Sequence, residues 1–545
     1  MELARVFLLG ALFLIAFMLW NAWQNEYPNV QVVKASTPIE KKEIAAEMDR
    51  LPHAQFPVGS EGQKSIKGSE KRFIHVRTDA LNILIDTQGG NIVQANLLKY
   101  PERANDSDSQ PFQLLSKNLD SYYVAQSGLV DPNKQVLQYR SVQTNYNLGP
   151  NQSELDVNLV CTTCGNVAIQ KQFIFKRDDY VIPINYQIGN HSNSIWKGQL
   201  YTQFQQKKRI PPRSLFNISS YIGGAISTQE KPYQKVSFDK MGEEISIATK
   251  NGWIAMLQHY FISAWVPPSG SYHFYSYGKD NIYTLGMLGN AFQVEPGKQY
   301  TSQAKLYLGP ESMDRLKAVA PHLDLTVDYG ILWFISMALF WLLKQIHHVV
   351  GNWGWSIVIV TVLIKLAFYH LSAKSYRSMA AMRNLQPRLN ALKERYGDDR
   401  QKLTQATMEL YKEEKVNPLG GCLPILIQIP VFIALYWMLL ESVELRQAPF
   451  ILWIHDLSTK DPYYILPILM GITMFVQQRL NPPPPDPTQA KVMQFLPIFF
   501  TALFLNFPSG LVLYWVVNNT LSILQQWFIM RRMQLKFNQK KLKKR

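Results

Sequence analysis

Lys365 is the residue of this sequence best placed for chemistry within a hydrophobic layer. It interrupts the apolar run W-G-W-S-I-V-I-V-T-V-L-I-K-L-A-F-Y-H-L at 353–371. A cation inside a membrane span costs roughly 3 kcal/mol on insertion scales, so it usually faces water or a partner. The alternative is a lysine whose flexible stem carries its charge to the lipid headgroups. Because no acidic residue lies inside another predicted span, the lysine has no evident counter-ion, which favours a wet surrounding.

A row of uncharged polar residues in the last apolar region supports a wet cavity. At helical spacing they form one predicted stripe, made of Asn518, Asn519, Ser522, Gln525 and Gln526. Such a stripe also arises when helices hydrogen-bond to one another. Together with an unpaired lysine, it favours an aqueous groove. Lys365 lies about 18 Å from the outer end of its predicted helix, in the inner half of the membrane, so we expect the groove to open to the cytoplasm.

Other residue patterns give little support for catalysis. The sequence has no H-E-x-x-H zinc motif and no G-x-S-x-G nucleophile motif. His347 and His348 are adjacent, so they point to different helix faces. This favours two polar side chains at the membrane–water interface over a metal-binding pair. Cys161 and Cys164 form a C-T-T-C turn, for which we expect a local disulfide or two free thiols rather than a redox or zinc site. We expect no metal and no cofactor.

Charge and hydropathy are distributed unevenly along the chain. Its 545 residues are 47% hydrophobic and 18% charged, with a formal net charge of +16. Apolar runs are concentrated at 6–20 and 331–530, whereas 24–328 is polar, which argues against both a uniformly soluble enzyme and a protein made only of spans. The last fifteen residues hold eight Lys/Arg and no acid. Basic segments beside spans are typical of cytoplasmic membrane loops, whereas a specific nucleic-acid site would more often lie on a folded domain.

The polar stretch is expected to form a large β-sandwich. Its short runs alternate apolar and polar residues, which is the pattern of strands with one buried face. The clearest runs are A-L-N-I-L-I-D at 80–86, E-L-D-V-N-L-V at 154–160, A-I-Q-K-Q-F-I-F at 168–175 and Y-V-I-P-I-N-Y at 180–186. No glycine-rich phosphate loop or alternating βαβ pattern is present. A helix is predicted at 311–320, before Pro321.

The apolar regions predict six membrane spans, with both termini in the cytoplasm. Residues 6–20 suit an uncleaved signal anchor, and a cleaved signal peptide is the alternative. The run 331–350 is long enough to span, but placing it flat on the outer surface keeps the basic segments inside. The predicted order is signal anchor 1–23, linker 24–57, β-sandwich domain 58–328, interfacial helix 329–352, second span 353–373, cytoplasmic helical hairpin 374–418 broken at G-D-D, spans three to six within 419–530, and basic tail 531–545.

Five segments resemble the YidC/Oxa/Alb family of membrane protein insertases. They are K-V-N-P-L-G-G-C-L-P-I-L-I-Q-I-P-V-F at 415–432, V-E-L-R-Q-A-P-F at 443–450, L-W-I-H-D-L-S at 452–458, D-P-Y-Y-I-L-P-I-L-M-G at 461–471 and F-P-S-G-L-V-L-Y-W at 507–515. The polar domain is similar to the Gram-negative form in placement and pattern only. The resemblance implies a polytopic α-helical protein of the bacterial inner membrane, with a five-helix insertase core, a periplasmic β-sandwich domain and a cytoplasmic helical hairpin.

The resemblance also implies which residues form the site. It implies a cationic hydrophilic groove, closed to the periplasm, that receives hydrophilic parts of incoming membrane proteins. The groove positions matched here are Lys365, Thr361, Gln428, Tyr514, Trp515 and Asn518. The family usually has arginine where this chain has Lys365, so the charge is kept but the planar guanidinium is lost. An apolar exit surface for the substrate helix is implied at Ile429, Phe432, Ile433, Phe499 and Leu503.

These observations predict a membrane protein insertase and chaperone that is not an enzyme. We expect it to move hydrophilic segments of nascent membrane proteins into the groove and to release their apolar helices into lipid, alone or with the Sec translocon. The basic tail and hairpin are expected to meet anionic lipids, the ribosome or signal-recognition components, with lipid anchoring alone as the alternative for the tail. A secondary transporter of a small anion is the runner-up, although no internal repeat is evident. A third interpretation makes the β-domain a sugar- or peptide-binding module anchored by the spans.

Overall fold

The fold is taken from a computed structural model, which describes residues 72–103, 109–130, 136–208, 221–397, 399–414, 416, 423–481 and 487–542. The predicted signal anchor 1–23 and linker 24–57 lie outside these residues. The chain divides into two compact units. Among the described residues, one unit is β-rich and ends at Val327, and the other is helical and begins at Asp328.

Strands dominate the β-rich unit, as the alternating sequence pattern predicts. They are β1 (Phe73–Arg77), β2 (Leu81–Asp86), β3 (Asn91–Pro101), β4 (Pro111–Leu115), β5 (Tyr123–Leu129), β6 (Tyr139–Ser141), β7 (Asn145–Asn147), β8 (Glu154–Cys161), β9 (Val167–Lys176), β10 (Val181–Asn190), β11 (Trp196–Gly198), β12 (Leu200–Lys207), β13 (Gly223–Ser227), β14 (Gln234–Val236), β15 (Ser246–Lys250), β16 (Trp253–Gln258), β17 (Phe261–Val266), β18 (Ser271–Lys279), β19 (Ile282–Gly289), β20 (Phe292–Val294) and β21 (Gln299–Pro310). The four runs quoted from the sequence correspond to β2, β8, β9 and β10.

Two large sheets face each other in this unit. One has the order β15-β18-β19-β12-β5-β3-β2-β1-β7, with β4 paired to β3, and the other has the order β14-β13-β16-β17-β21-β10-β9-β8-β6. Strands β11 and β20 form a separate pair. Trp265 of β17 links the large sheets, because its Nε1 donates to the Gln203 carbonyl of β12 at 3.2 Å. The described part of the predicted domain is therefore a β-sandwich.

Strand β9 shows how the alternation builds the core and where it departs from an apolar core. Its alternate residues from Val167 to Phe175 are all buried. One of these inward positions is Lys171, whose Nζ donates to the carbonyls of Gly90 and Ser127, each at 2.7 Å. A fully buried cation requires such partners, because an unpaired one would lose its hydration without compensation.

The C-T-T-C segment forms a local disulfide. Cys161 ends β8, and Cys164 lies in the turn that leads to β9, with a Cα–Cα distance of 5.8 Å. Of the two interpretations left open by the sequence, the structure shows the disulfide. Disulfides persist in oxidising compartments such as the bacterial periplasm.

The helices fall at most of the positions expected from the apolar runs. They are α1 (Phe238–Gly242), α2 (Met313–Val319), α3 (Trp333–Val350), α4 (Trp353–Ala367), α5 (Tyr369–Asn384), α6 (Gln386–Tyr396), α7 (Arg400–Glu413), α8 (Leu423–Glu441), α9 (Ile465–Leu480), α10 (Pro487–Phe504) and α11 (Ser509–Leu542). The predicted 311–320 helix corresponds to α2. The last apolar region separates into α10 and α11 at the N-F-P-S-G segment, as predicted.

Helix α11 is the centre of the helical unit, since it packs against α4, α5, α8 and α9. The run 353–371 differs from the continuous helix expected. Helix α4 ends at Ala367, and the chain bends by 67° before α5. Phe368, at the bend, leaves helical geometry with φ −92° and ψ 10°. Lys365 consequently lies in the last turn of a 15-residue helix.

The segment predicted as a hairpin contains α5, α6 and α7. The G-D-D break lies between α6 and α7, where the Asp399 carboxylate accepts hydrogen bonds from the backbone N–H groups of Gln401 (3.1 Å) and Lys402 (3.0 Å). This is N-terminal capping of α7. Helices α6 and α7 pack together, and Arg388 of α6 pairs with Glu414 at the end of α7, 2.6 Å apart.

Among the described residues, one helix meets the length and composition expected of a membrane span, namely α3. The bent pair α4–α5 meets them if it is counted as one span, while Gln428–Glu441, Ile465–Leu480 and Lys491–Phe504 are shorter apolar helices.

Candidate functional site

A small cavity that is open to solvent lies beside the last turn of α4 in the helical unit; its space, counted out into the solvent, is about 370 Å³. Its walls come from α4, from the bend with the start of α5, and from α8. The lining residues are Ile364, Lys365, Phe368, Leu371, Ser372, Gln428 and Val431. Three of the seven are polar, and one is cationic, so the cavity combines an apolar surface with a small number of hydrogen-bonding groups.

Lys365 is half-buried at this wall. Its Nζ donates to Ser522 Oγ of α11 at 2.7 Å. Among the described residues, no carboxylate lies within ion-pair distance of Lys365. Its place at the C-terminus of α4 is favourable, because the last carbonyls of a helix carry partial negative charge. The predicted unpaired lysine is therefore present, next to a cavity.

Polar contacts continue from Lys365 across three helices. Ser522 Oγ donates to the Asn518 carbonyl one turn earlier in α11, at 2.7 Å. The Asn518 side chain accepts a hydrogen bond from Gln428 Nε2 of α8. Lys365, Ser522, Asn518 and Gln428 thus form one connected network, which we call the groove network.

The predicted single stripe of polar residues on α11 separates into two faces. Asn518 and Ser522 belong to the groove network. Asn519 instead donates to Thr473 of α9 at 3.3 Å, and Gln526 donates to Asn481, just after α9, at 3.0 Å. Interhelical hydrogen bonding, the simpler explanation of the stripe, therefore accounts for the second face, while the first lies beside the cavity.

Four of the six predicted groove residues do not line this cavity, and one of these four, Asn518, is connected to it through its hydrogen bond with Gln428. Thr361 is 1% exposed, and its hydroxyl donates to the Ile357 carbonyl at 2.7 Å, so it is turned toward its own helix. Tyr514 is buried beside Gln428. Trp515 packs edge-on against Phe432 at a ring-centroid distance of 4.5 Å.

The residues predicted for the exit surface differ in exposure. Ile429 of α8 is 46% exposed and Phe499 of α10 is 51% exposed. Phe432, Ile433 and Leu503 are half-buried. Trp515 of α11 links α8 and α10, because its ring also lies 5.1 Å from that of Phe504. Its indole N–H is buried and has no hydrogen-bond partner among the described residues.

Sequence reasoning missed part of the site. Ser522 was placed in the polar stripe but not among the groove residues, although it is the direct partner of Lys365. Ser372 also lines the cavity, which it reaches because the chain bends between α4 and α5. The described residues contain no cluster of three or more His, Cys, Asp or Glu side chains able to hold a metal ion.

Two family models match this chain on adjoining stretches. The model described as 60Kd inner membrane protein matches residues 345–538, and the model described as YidC periplasmic domain matches residues 73–342. A membrane protein insertase YidC of Legionella pneumophila (strain Corby) is 52% identical over 546 residues, which cover 98% of this chain and 97% of the relative. The chain belongs to the YidC family of membrane protein insertases.

Further YidC relatives have the same extent. The protein of Coxiella burnetii (strain Dugway 5J108-111) is 48% identical, covering 97% of this chain and 96% of its own. The protein of Stutzerimonas stutzeri (strain A1501) is 47% identical, and the match covers 98% of this chain and 99% of the relative. A crystal structure of an active YidC insertase with its first transmembrane domain resolved has 18% identity and a TM-score of 0.38, covering 83% of this chain and 91% of that one.

Membership of the YidC family confirms the resemblance stated from the sequence. It agrees with the predictions of a protein of the inner membrane and of an insertase rather than an enzyme. It gives no support to the alternative of a small-anion transporter. The roles of the individual groove and exit residues remain predictions.

Proposed function

We propose that this chain inserts membrane proteins by holding their hydrophilic segments in the cavity beside Lys365. The observation that carries the proposal is the half-buried ammonium, which has no carboxylate partner among the described residues and lines a cavity that is partly polar. A charge in a partly desolvated place attracts an opposite charge more strongly than it does in water. An acidic hydrophilic segment of a nascent membrane protein is therefore a suitable ligand.

The cavity lowers the barrier to moving such a segment through the bilayer. Ser372 and Gln428 offer hydrogen bonds that replace part of the hydration shell of the segment, and so reduce its desolvation cost. Outward movement of one negative charge is then favoured by about 2.3 kcal/mol per 100 mV of membrane potential. Together with partitioning of the apolar helix into lipid, this drives the reaction without a cofactor.

The substrate helix leaves along α8 and α10 in this proposal. Ile429 and Phe499 expose apolar side chains there, and Trp515 holds the two helices together through Phe432 and Phe504. An apolar helix that slides along this surface replaces lipid contacts with protein contacts of similar polarity, so release costs little free energy.

Lys365 variants test the proposal through the charge of the substrate. We expect Lys365→Ala to slow insertion of a single-span substrate with an acidic tail by about tenfold or more, which is the loss of one charge-assisted interaction. Lys365→Glu should slow it further, and Lys365→Arg should retain activity. Lys374→Ala is the matched control, because it removes the charge of an exposed lysine nine residues along the chain. The measurement is insertion of radiolabelled substrates in a depletion strain.

Two outcomes would contradict the proposal. If Lys365→Ala inserts acidic-tailed and neutral-tailed substrates at the wild-type rates, the lysine has no part in the mechanism. If the reconstituted protein takes up a small anion and inserts no protein, the transporter is the better interpretation.

We propose the membrane arrangement predicted from the sequence. Residues 58–328 lie in the periplasm, 329–352 lie on the outer surface, and six spans leave both termini in the cytoplasm. The Cys161–Cys164 disulfide supports a periplasmic β-rich unit, because a reducing cytoplasm would open it. The exposed rings of Trp333, Phe334 and Trp341 on α3 suit a helix at the lipid interface.

Further partners are proposed for the basic segments. The pair of helices α6 and α7 and the tail 531–545 are suited to anionic lipids and to the ribosome or signal-recognition components, because both carry many Lys and Arg side chains. The Sec translocon is a further proposed partner, and the chain inserts its substrates alone or with it. The interactions of the basic segments are electrostatic in origin, so they should weaken as the salt concentration rises.

A further inference from the structure

The hydroxyl of Ser522 is fixed as a hydrogen-bond acceptor for Lys365. Ser522 is only 2% exposed. Its single proton is donated to the Asn518 carbonyl at 2.7 Å. The lone pairs of the same oxygen accept from Lys365 Nζ, also at 2.7 Å, and they are shared with the hydroxyl of Tyr376 in α5. The direction of this bond is determined by the backbone of α11.

The ammonium retains two N–H donors after it binds Ser522. Among the other described residues of the cavity wall, Ile364, Phe368, Leu371 and Val431 are apolar, and only Ser372 and Gln428 are polar. A carboxylate is a ligand that can use both remaining donors, whereas an amide or hydroxyl uses them less fully. Without Ser522, the four-carbon stem of Lys365 is free to turn its charge out of the cavity toward the lipid headgroups.

We propose that Ser522 is a positioning residue, which orients the Lys365 ammonium into the cavity and thereby sets the preference of the groove for acidic segments. This inference rests on the proposed function of Lys365. It assigns the charge selectivity of the groove to a pair of residues on two helices, rather than to the lysine alone.

The test compares Ser522→Ala with a serine at which the same change is harmless. Ser375 is also buried, and its Oγ has no hydrogen-bond partner among the described residues, so Ser375→Ala is the matched control. We expect Ser522→Ala to slow insertion of an acidic-tailed substrate by about three- to tenfold and to leave a neutral-tailed substrate unchanged. Ser522→Thr, which restores the hydroxyl, should recover the rate.

A double-mutant cycle separates positioning from a general structural role. If Ser522 acts through Lys365, the variant Lys365→Ala with Ser522→Ala should be no slower than Lys365→Ala alone. Additive losses in the double variant, or equal losses with acidic and neutral tails, would overturn the inference. If Lys365→Ala inserts the acidic-tailed substrate at the wild-type rate, the proposed function itself is refuted. If Lys365→Ala slows this insertion but Ser522→Ala does not, only the positioning role is refuted.

Discussion

Lys171 provides a prediction about how the stability of the β-rich unit depends on pH. Its side chain is 0% exposed, and Nζ donates to the carbonyls of Gly90 and Ser127 at 2.7 Å and to that of Gly89 at 3.4 Å. Burial removes the ammonium from water and lowers the pKa of Lys171 well below its usual value. A neutral amine still has two N–H groups, which are enough for both short hydrogen bonds.

The lowered pKa determines the sign of the effect. Between the folded-state pKa and the usual value near 10.5, the unfolded chain binds one proton more than the folded chain, so the free energy of unfolding rises with pH. One group contributes at most about 1.4 kcal/mol per pH unit. The variant Lys171→Met keeps an apolar stem but has no group that titrates. It also leaves two buried carbonyls without their donor, which lowers the free energy of unfolding by about 1–3 kcal/mol for each carbonyl. Its destabilisation should therefore grow as the pH rises, because at lower pH it is offset by removal of a buried charge.

Pulse proteolysis of the full chain in detergent over a urea series measures this difference, since it reports the folded fraction of the β-rich unit. We expect the urea midpoint of the wild type to rise with pH on the approach to the usual lysine pKa of 10.5, and that of Lys171→Met to rise less. Lys176→Met on the same strand is the control, because that lysine is 53% exposed and its removal should change stability by no more than about 0.5 kcal/mol. The same pH dependence in wild type and Lys171→Met would refute the reasoning.

Two further predictions concern the disulfide and the loop before α9. In protein purified without reductant, alkylation should modify Cys422 alone, and after reduction it should modify Cys161 and Cys164 as well. Intact mass spectra count the modified thiols. Three modified thiols before reduction would contradict the disulfide and its oxidising location. Asp461→Asn should lower the free energy of unfolding of the helical unit by about 1–3 kcal/mol. The buried Asp461 carboxylate accepts hydrogen bonds from Trp453 Nε1, Tyr463 N and Leu466 N, and the amide nitrogen of asparagine cannot accept one. An unchanged urea midpoint would show that these bonds are dispensable.

The β-sandwich was predictable because each strand carries its own signal. The alternation of A-I-Q-K-Q-F-I-F specifies which side chains of β9 point inward without knowledge of the neighbouring strands. Lys171 occupies one of these inward positions, yet its partners could not be predicted. They are backbone carbonyls of Gly90 and Ser127, more than forty residues distant in sequence, and backbone carbonyls have no residue-specific pattern.

The site was predictable in its charge but not in its geometry. An apolar run interrupted by Lys365 is a local signal, and the family resemblance added Gln428, which does line the cavity. The bend at Phe368 has no proline or glycine to mark it, so the sequence predicted a continuous helix and placed Lys365 too far from a helix end. The same error hid Ser372, because the bend brings the start of α5 to the cavity.

The two polar faces of α11 make distinct contributions to the groove. At 100° per residue, Asn518, Ser522 and Gln525 lie within about 60° of one another, and Asn519 and Gln526 lie about 90° away. Hydrogen bonds from Asn519 and Gln526 to α9 and to Asn481 fix the rotation of α11 about its axis. That rotation determines where Ser522 Oγ meets Lys365. The helix contacts of Asn519 and Gln526 therefore help to hold Ser522 where it orients the Lys365 ammonium, and the polar residues of α11 have two physical roles.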